Sequence, residues 1–100
     1  MKTQFFKNYS LPNLKVGIAQ INPCVGDLEK NSKKIINCIE KAKELNTNVI
    51  SFPELAITGY PPEDLLLKPQ FINDNIYWLN QIVKSCKNIT VIIGFVDKTK

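Results

Sequence analysis

The chain has 100 residues, of which 44% are apolar, a composition typical of a folded domain rather than of a disordered segment. Its net charge of +4 is the balance of 13 basic and 9 acidic residues, and lysine supplies all of the basic ones because the sequence contains no arginine and no histidine. The lysines are scattered and are interpreted as solvent-exposed helix faces, which argues against a nucleic-acid partner. Without histidine, the chain alone forms no Ser-His or Cys-His catalytic pair and no histidine metal site.

The three cysteines lie far apart and show no CxxC spacing: Cys24, Cys38 and Cys86. Unpaired thiols of this kind are typical of a reducing cytoplasm rather than of a disulfide framework. No apolar run approaches the ~20 residues of a membrane span, and the first 13 residues lack the apolar core of a signal peptide. The sequence therefore predicts a cytoplasmic protein with no membrane partner.

The first half of the chain predicts an extended lead-in, a strand and a helix. Residues 1–14 lack periodicity and are assigned to the lead-in, whereas residues 15–21 form a short apolar run typical of a buried strand. Asp27 is a suitable N-cap for a helix over residues 28–45, in which apolar side chains recur on one face.

The second half predicts a strand over residues 49–52, a helix over residues 71–87 and a strand over residues 89–95. Apolar side chains recur in the second helix at steps of four and three residues: Ile72, Ile76, Leu79, Val83 and Cys86. Trp78 lies beside this stripe and is expected to pack. Cys38 and Cys86 are expected to be small core residues.

The predicted order is β-α-β-α-β, which indicates parallel strands joined by right-handed helical crossovers. The strands are apolar enough to be covered on both faces. Two helices on one face leave the other face without cover, which indicates that the chain is incomplete or oligomeric.

In a parallel α/β sheet, ligands bind beyond the carboxyl ends of the strands. Glu54 lies two residues past the end of the second predicted strand, among apolar neighbours that suit a carboxylate to general acid or base chemistry. The alternative is a loop glutamate that caps a turn or faces water. Spacing alone favours the loop glutamate.

The segment around Glu54 resembles a known family. Residues 52–60, FPELAITGY, resemble the first motif of the carbon-nitrogen hydrolase (nitrilase) superfamily. Residues 53–71, PELAITGYPPEDLLLKPQF, and residues 16–27, VGIAQINPCVGD, are similar to the glutamine-hydrolysing domain of glutamine-dependent NAD(+) synthetases. The resemblance implies that residues 15–100 are the amino-terminal, incomplete part of a four-layer α-β-β-α sandwich.

Members of that family use a Glu-Lys-Cys triad, in which Cys attacks the amide or nitrile carbon, Glu takes its proton and Lys stabilises the developing charge. The resemblance assigns the general base to Glu54. Tyr60, with the Pro61-Pro62 pair, is expected either to shape the substrate pocket or to form a rigid surface loop. The family's Lys and Cys motifs come after its next strands, so the isolated chain is expected to be catalytically incomplete.

In the synthetases the released ammonia passes to a separate domain, which uses ATP to amidate deaminonicotinate adenine dinucleotide. The resemblance therefore implies glutamine as the substrate, ATP and Mg²⁺ in the separate domain, and neither a cofactor nor a metal in this segment. Two alternatives stay open. The chain is a segment of another amidase or carbamoylase of the family, or it is a non-catalytic remnant or split-protein half that binds a complementary fragment or a second copy.

Overall fold

The computed structural model describes residues 6–60 and 63–97. Four strands form one sheet: β1 (Phe6–Leu11), β2 (Leu14–Ala19), β3 (Val49–Ser51) and β4 (Thr90–Ile92). Two α-helices accompany them, α1 (Leu28–Glu44) and α2 (Pro69–Val83), together with a short 3₁₀ helix (Glu63–Leu67). Within the described residues, neither α-helix has both the length and the apolar character that crossing a membrane requires.

The strands lie side by side in chain order, β1-β2-β3-β4. β2, β3 and β4 are parallel, as the sequence predicts, and β1 is antiparallel to β2. β1 was not predicted as a strand, because residues 7–10 show no apolar alternation in the sequence. In the structure the side chains of these four residues are not buried. Its place is set by backbone pairing with β2 across the two-residue Pro12-Asn13 loop.

Helix α1 follows its predicted limits closely. Oδ1 of Asp27 accepts a hydrogen bond from the backbone N–H of Lys30 at 3.1 Å, which satisfies one free donor of the first turn. The buried face of α1 includes Ile35, Ile39 and the small side chain of Cys38. The prediction that Cys38 is a core residue is therefore confirmed.

The prediction for α2 was right in part, because Ile72, Leu79 and Cys86 of the predicted stripe pack partly buried against the core. The buried residues of this helix are Phe71, Asn75 and Ile82, and Trp78 packs partly buried beside them. This buried face is shifted by one residue towards the amino terminus relative to the predicted stripe, whose Val83 is exposed. The sequence pattern misses the face because its central member, Asn75, is polar.

The two helices contact each other and share one core with the sheet, to which β2 contributes Ala19 and β3 contributes Ile50. Right-handed crossovers account for both helices lying on the same face. The side chains that alternate with the core residues form the opposite face, here called the open sheet face: Tyr9, Leu14, Val16, Ile18, Val49 and Ile92. Within the described residues Ile18 stays 45% exposed and Ile92 56% exposed, so the expected lack of cover on one face is confirmed.

Candidate functional site

Glu54 lies in the turn that follows β3, at the carboxyl edge of the parallel strands, as the sequence predicts. Its side chain is exposed, whereas its neighbours Phe52, Ala56 and Ile57 are buried. The expected apolar surroundings of the carboxylate are therefore not present in the described residues. The turn buries its apolar side chains beneath itself and leaves the carboxylate accessible.

The backbone directly after Glu54 has an uncommon conformation. Leu55 has a φ of 54°, in the left-handed region that side-chain-bearing residues rarely adopt. Its carbonyl accepts a hydrogen bond from the N–H of Gly59 at 2.9 Å, which closes the turn. Gly94, just beyond β4, packs so closely that a Cβ there would lie 3.2 Å from the Leu55 nitrogen. The segment after β4 therefore supports the Glu54–Leu55 backbone directly.

A second turn, after β2, packs against the Glu54 turn. The N–H of Gly26 donates to the carbonyl of Thr58 at 2.8 Å. Gly59 lies so close to Val25 that an added Cβ would be 2.6 Å from the Val25 Cα. The loops after β2 and β3 thus form one packed unit at the carboxyl edge of the sheet.

One buried side chain, that of Asn31 on α1, joins this unit to the helix layer. Its Oδ1 accepts from the N–H of Cys24 at 2.7 Å. Its Nδ2 donates to the carbonyl of Cys24 at 2.6 Å and to the carbonyl of Ile57 at 2.9 Å. The amide of Asn31 therefore satisfies backbone groups of both turns.

A second buried asparagine, Asn75 on α2, bonds the backbone of the segment after β4 in a similar way. Its Nδ2 donates to the carbonyl of Val96, and its Oδ1 accepts from the Val96 N–H at 3.5 Å. Sequence analysis missed both asparagines. A signal was present, because Asn31 stands three residues after Leu28 and four before Ile35, on the apolar stripe of α1. A polar residue on such a stripe is buried and needs partners.

The cysteines differ in environment, and their surroundings do not mark any of them as a nucleophile. Cys24 is exposed in the turn after β2. Burial raises the pKa of the Cys38 thiol to about 11. Burial also raises the pKa of Cys86, while nearby Lys43 acts in the opposite direction. Cys86 packs partly buried against the core, in line with its predicted role.

Tyr60 is 69% exposed, at the end of the Glu54 turn. Its predicted contact with substrate stays a prediction, and Pro61-Pro62 lie outside the described residues.

Trp78 packs as predicted, with its ring edge-on to Tyr77 at a centroid distance of 5.3 Å. A cleft of about 450 Å³ opens between the 3₁₀ helix, the start of α2 and residues 96–97, and Glu54 does not line it.

Within residues 6–60 and 63–97 the structure contains no group of three or more acidic or cysteine side chains that could hold a metal ion. Lys98 and Lys100 lie outside the described residues. The arrangement thus offers an accessible carboxylate on a backbone held from three sides. Such a group can accept a proton from a nucleophile that other residues supply.

Comparison with known proteins gives a consistent family. Residues 15–100 match the model of the carbon-nitrogen hydrolase family. The glutamine-dependent NAD(+) synthetase of Thermotoga maritima is 39% identical over an alignment of 89 residues, which covers 87% of this chain and 16% of the relative. The enzyme of the same name from Aquifex aeolicus is 42% identical over 81% of this chain and 14% of its own length.

Solved structures of glutamine-dependent NAD(+) synthetases are similar to this chain as well. The crystal structure of a glutamine-dependent NAD(+) synthetase from Cytophaga hutchinsonii superimposes with a TM-score of 0.82 at 37% identity, covering 86% of this chain and 15% of the other. The synthetase from Acinetobacter baumannii in complex with adenosine diphosphate gives a TM-score of 0.79 at 37% identity, over 87% of this chain and 16% of that chain. The chain thus spans about a sixth of the length of these proteins.

Proposed function

Because this chain belongs to the carbon-nitrogen hydrolase family, we propose that it forms the amino-terminal part of a domain that hydrolyses the side-chain amide of glutamine and supplies ammonia for NAD(+) synthesis. Glu54 is the general base in this proposal. It accepts the proton of a cysteine thiol that lies in another part of the complete domain. The observation that carries the proposal is the exposed carboxylate of Glu54 at the carboxyl edge of the sheet, on a turn whose backbone is held by its neighbours.

The chemistry explains why a base is needed. An ordinary thiol has a pKa near 8.5, so at neutral pH only a small fraction is present as the reactive thiolate. A carboxylate within hydrogen-bonding distance takes the proton as the sulfur attacks the amide carbon. The protonated carboxyl group returns that proton to the amide nitrogen as the carbon–nitrogen bond breaks, so that ammonia leaves and a thioester remains. Water then hydrolyses the thioester to glutamate and regenerates the thiol.

The open sheet face supports the wider proposal. It presents an apolar surface that includes Ile18 and Ile92, and nothing in the described residues covers it. In a four-layer α-β-β-α sandwich this face packs on a second sheet. We propose that the second sheet, with the lysine and cysteine of the triad, completes the site beside Glu54. Glutamine then binds against Tyr60, and ATP and Mg²⁺ act in a separate synthetase domain of a cytoplasmic enzyme.

The proposal is tested in a grafted enzyme, in which this chain replaces the 89 aligned residues of the Thermotoga maritima synthetase. We expect the graft to hydrolyse glutamine, and Glu54→Gln to lower kcat by about 10²- to 10⁴-fold, the range typical of a lost general base. Glutaminase activity is measured as glutamate release. Synthesis of NAD(+) with ammonia supplied directly reports whether the rest of the enzyme is intact.

Glu44→Gln is the matched control, because Glu44 is an exposed glutamate at the end of α1, before β3 and thus at the opposite edge of the sheet. It should leave glutamine hydrolysis unchanged. A graft that uses ammonia but not glutamine would contradict the proposed function. A Glu54→Gln graft as active as its parent would contradict the role of Glu54.

A further inference from the structure

Asn31 is the side chain through which α1 holds both turns of the candidate site. We propose that Asn31 is a positioning residue for Glu54, whose buried amide fixes the turn that carries the carboxylate against the turn that follows β2. The inference rests on the proposed function, because Glu54 is the base of that reaction.

Asn31 restrains both turns, because its three hydrogen bonds reach backbone groups of each. It bonds both the N–H and the carbonyl of Cys24, at 2.7 and 2.6 Å, so the turn after β2 has one orientation relative to α1. The remaining Nδ2 proton reaches the carbonyl of Ile57 at 2.9 Å, three residues after Glu54. The Asn31 side chain itself is fully buried, and its bond to Ile57 is buried with it, whereas the two bonds to Cys24 are part-buried.

The position of Glu54 depends on its backbone. Within the described residues its carboxylate makes no hydrogen bond that would orient it. Leu55, next to it, is held in the left-handed region, and the turn closes through the bond between Gly59 and Leu55. The carbonyl of Ile57 lies inside that turn. Release of this carbonyl frees the turn to relax, and a displacement of about 1 Å of a catalytic group can cost 10²-fold in rate.

The decisive variant is Asn31→Leu in the grafted enzyme. Leucine keeps the branch at Cγ and the number of side-chain heavy atoms of asparagine, although its methyl groups are bulkier than the amide, and it removes all three hydrogen bonds. We expect kcat for glutamine hydrolysis to fall by about 10- to 100-fold, since the base is displaced rather than deleted. The KM for glutamine and the rate of NAD(+) synthesis from added ammonia should change by less than about threefold.

Thr47→Val is the matched control. The hydroxyl of Thr47 is also buried and bonds to Oδ1 of Asn8 at 3.0 Å, but Thr47 precedes β3 and lies at the edge of the sheet opposite to Glu54. This variant removes a part-buried hydrogen bond and should leave kcat unchanged. If Thr47→Val lowers kcat as much as Asn31→Leu, or if Asn31→Leu keeps the kcat of its parent, the positioning role is wrong.

Hydrogen exchange separates this inference from the proposed function and from misfolding. In Asn31→Leu, the N–H groups of Gly26 and Gly59 should exchange faster than in the parent, while those in the middle of α2 should be unchanged. Unchanged exchange at both glycines would overturn the proposal even in a graft without glutaminase activity. Faster exchange throughout α2 would overturn it as well, because Asn31 would then support the whole fold rather than the site. A parent graft that fails to use glutamine contradicts only the proposed function.

Discussion

Burial divides the three thiols of this chain into different chemical classes. Cys24 is exposed, Cys86 is half-buried, and Cys38 lies wholly within the core. Because a buried thiolate is poorly solvated, the pKa of Cys38 rises from 9.0 to about 11. At the residue scale the sequence predicted Cys38 correctly as a core residue, whereas Cys86 only packs partly buried against the core. It could not predict how Glu54 is held, because that depends on hydrogen bonds between distant backbone groups.

The cysteines give a prediction for alkylation. Iodoacetamide applied to the native chain at about pH 8 should label Cys24 first and Cys38 only after unfolding, because the thiolate is the reactive form and Cys38 is both inaccessible and protonated. Mass spectrometry of tryptic peptides identifies the labelled residue. Labelling of Cys38 at the rate of Cys24 would show that the core is open.

The same shift gives a prediction for alkaline stability. A thiol whose folded pKa is raised favours the protonated, folded state, so its contribution is complete below pH 9.0 and is lost as the pH rises towards 11. The free energy of unfolding, measured by urea denaturation, should therefore fall across this window. In Cys38→Ala the decline should be shallower by up to about 2 kcal/mol. An identical decline in both proteins would assign it to other groups.

At the scale of an element, the two helices show what the apolar periodicity of the sequence predicts and what it misses. The limits of α1 followed from its cap and its regular apolar stripe, and they agree with the structure. The buried face of α2 did not follow, because Asn75 occupies its centre and was counted as polar. Both helices use a buried asparagine to bond the loop at the carboxyl edge. A search for lone asparagines on apolar stripes would have found Asn31, whereas Asn75 lies one residue before Ile76 of the predicted stripe.

The N-cap of α1 is open to a direct test. Asp27→Ala removes the acceptor of the Lys30 N–H and should lower the free energy of unfolding by about 1 kcal/mol. Asp27→Asn is the matched control, because asparagine caps helices as well as aspartate does. Urea denaturation of the two variants measures the difference. Equal loss in both would indicate that the charge of Asp27, not its cap bond, stabilises the helix.

At the scale of the whole molecule, the described residues form one layer of helices on one sheet. Helices cover one face of the sheet, and the open sheet face is apolar and accessible. The sequence predicted the parallel strands and the missing cover from the order of elements and the number of helices. β1 escaped prediction because backbone pairing with β2 leaves no periodic trace in its side chains.

The isolated 100-residue chain should show no glutamine hydrolysis, because Glu54 alone supplies a base without a nucleophile. Ammonia release by the purified chain, compared with that of the graft, is the measurement. Turnover by the isolated chain that disappears in Glu54→Gln would mean that one of its own cysteines serves as the nucleophile.

The open sheet face makes a further prediction. The double variant Ile18→Lys and Ile92→Lys should reduce self-association of the isolated chain, seen by sedimentation, and should prevent assembly of the graft. Val83→Lys is the matched control, because Val83 is as exposed as Ile92, at 56%, but lies on α2. If Val83→Lys has the same two effects, the open sheet face is not the surface that packs in the complete domain.

The contact between Gly59 and Val25 has an evolutionary consequence. No side chain fits at position 59 while the turn after β2 keeps its place, because the first added carbon would lie 2.6 Å from the Val25 Cα. A homologue that replaces this glycine must therefore also change the backbone of the turn after β2. Across many descendants, the two turns should diverge as a coupled pair, with insertions or deletions in one matched by changes in the other.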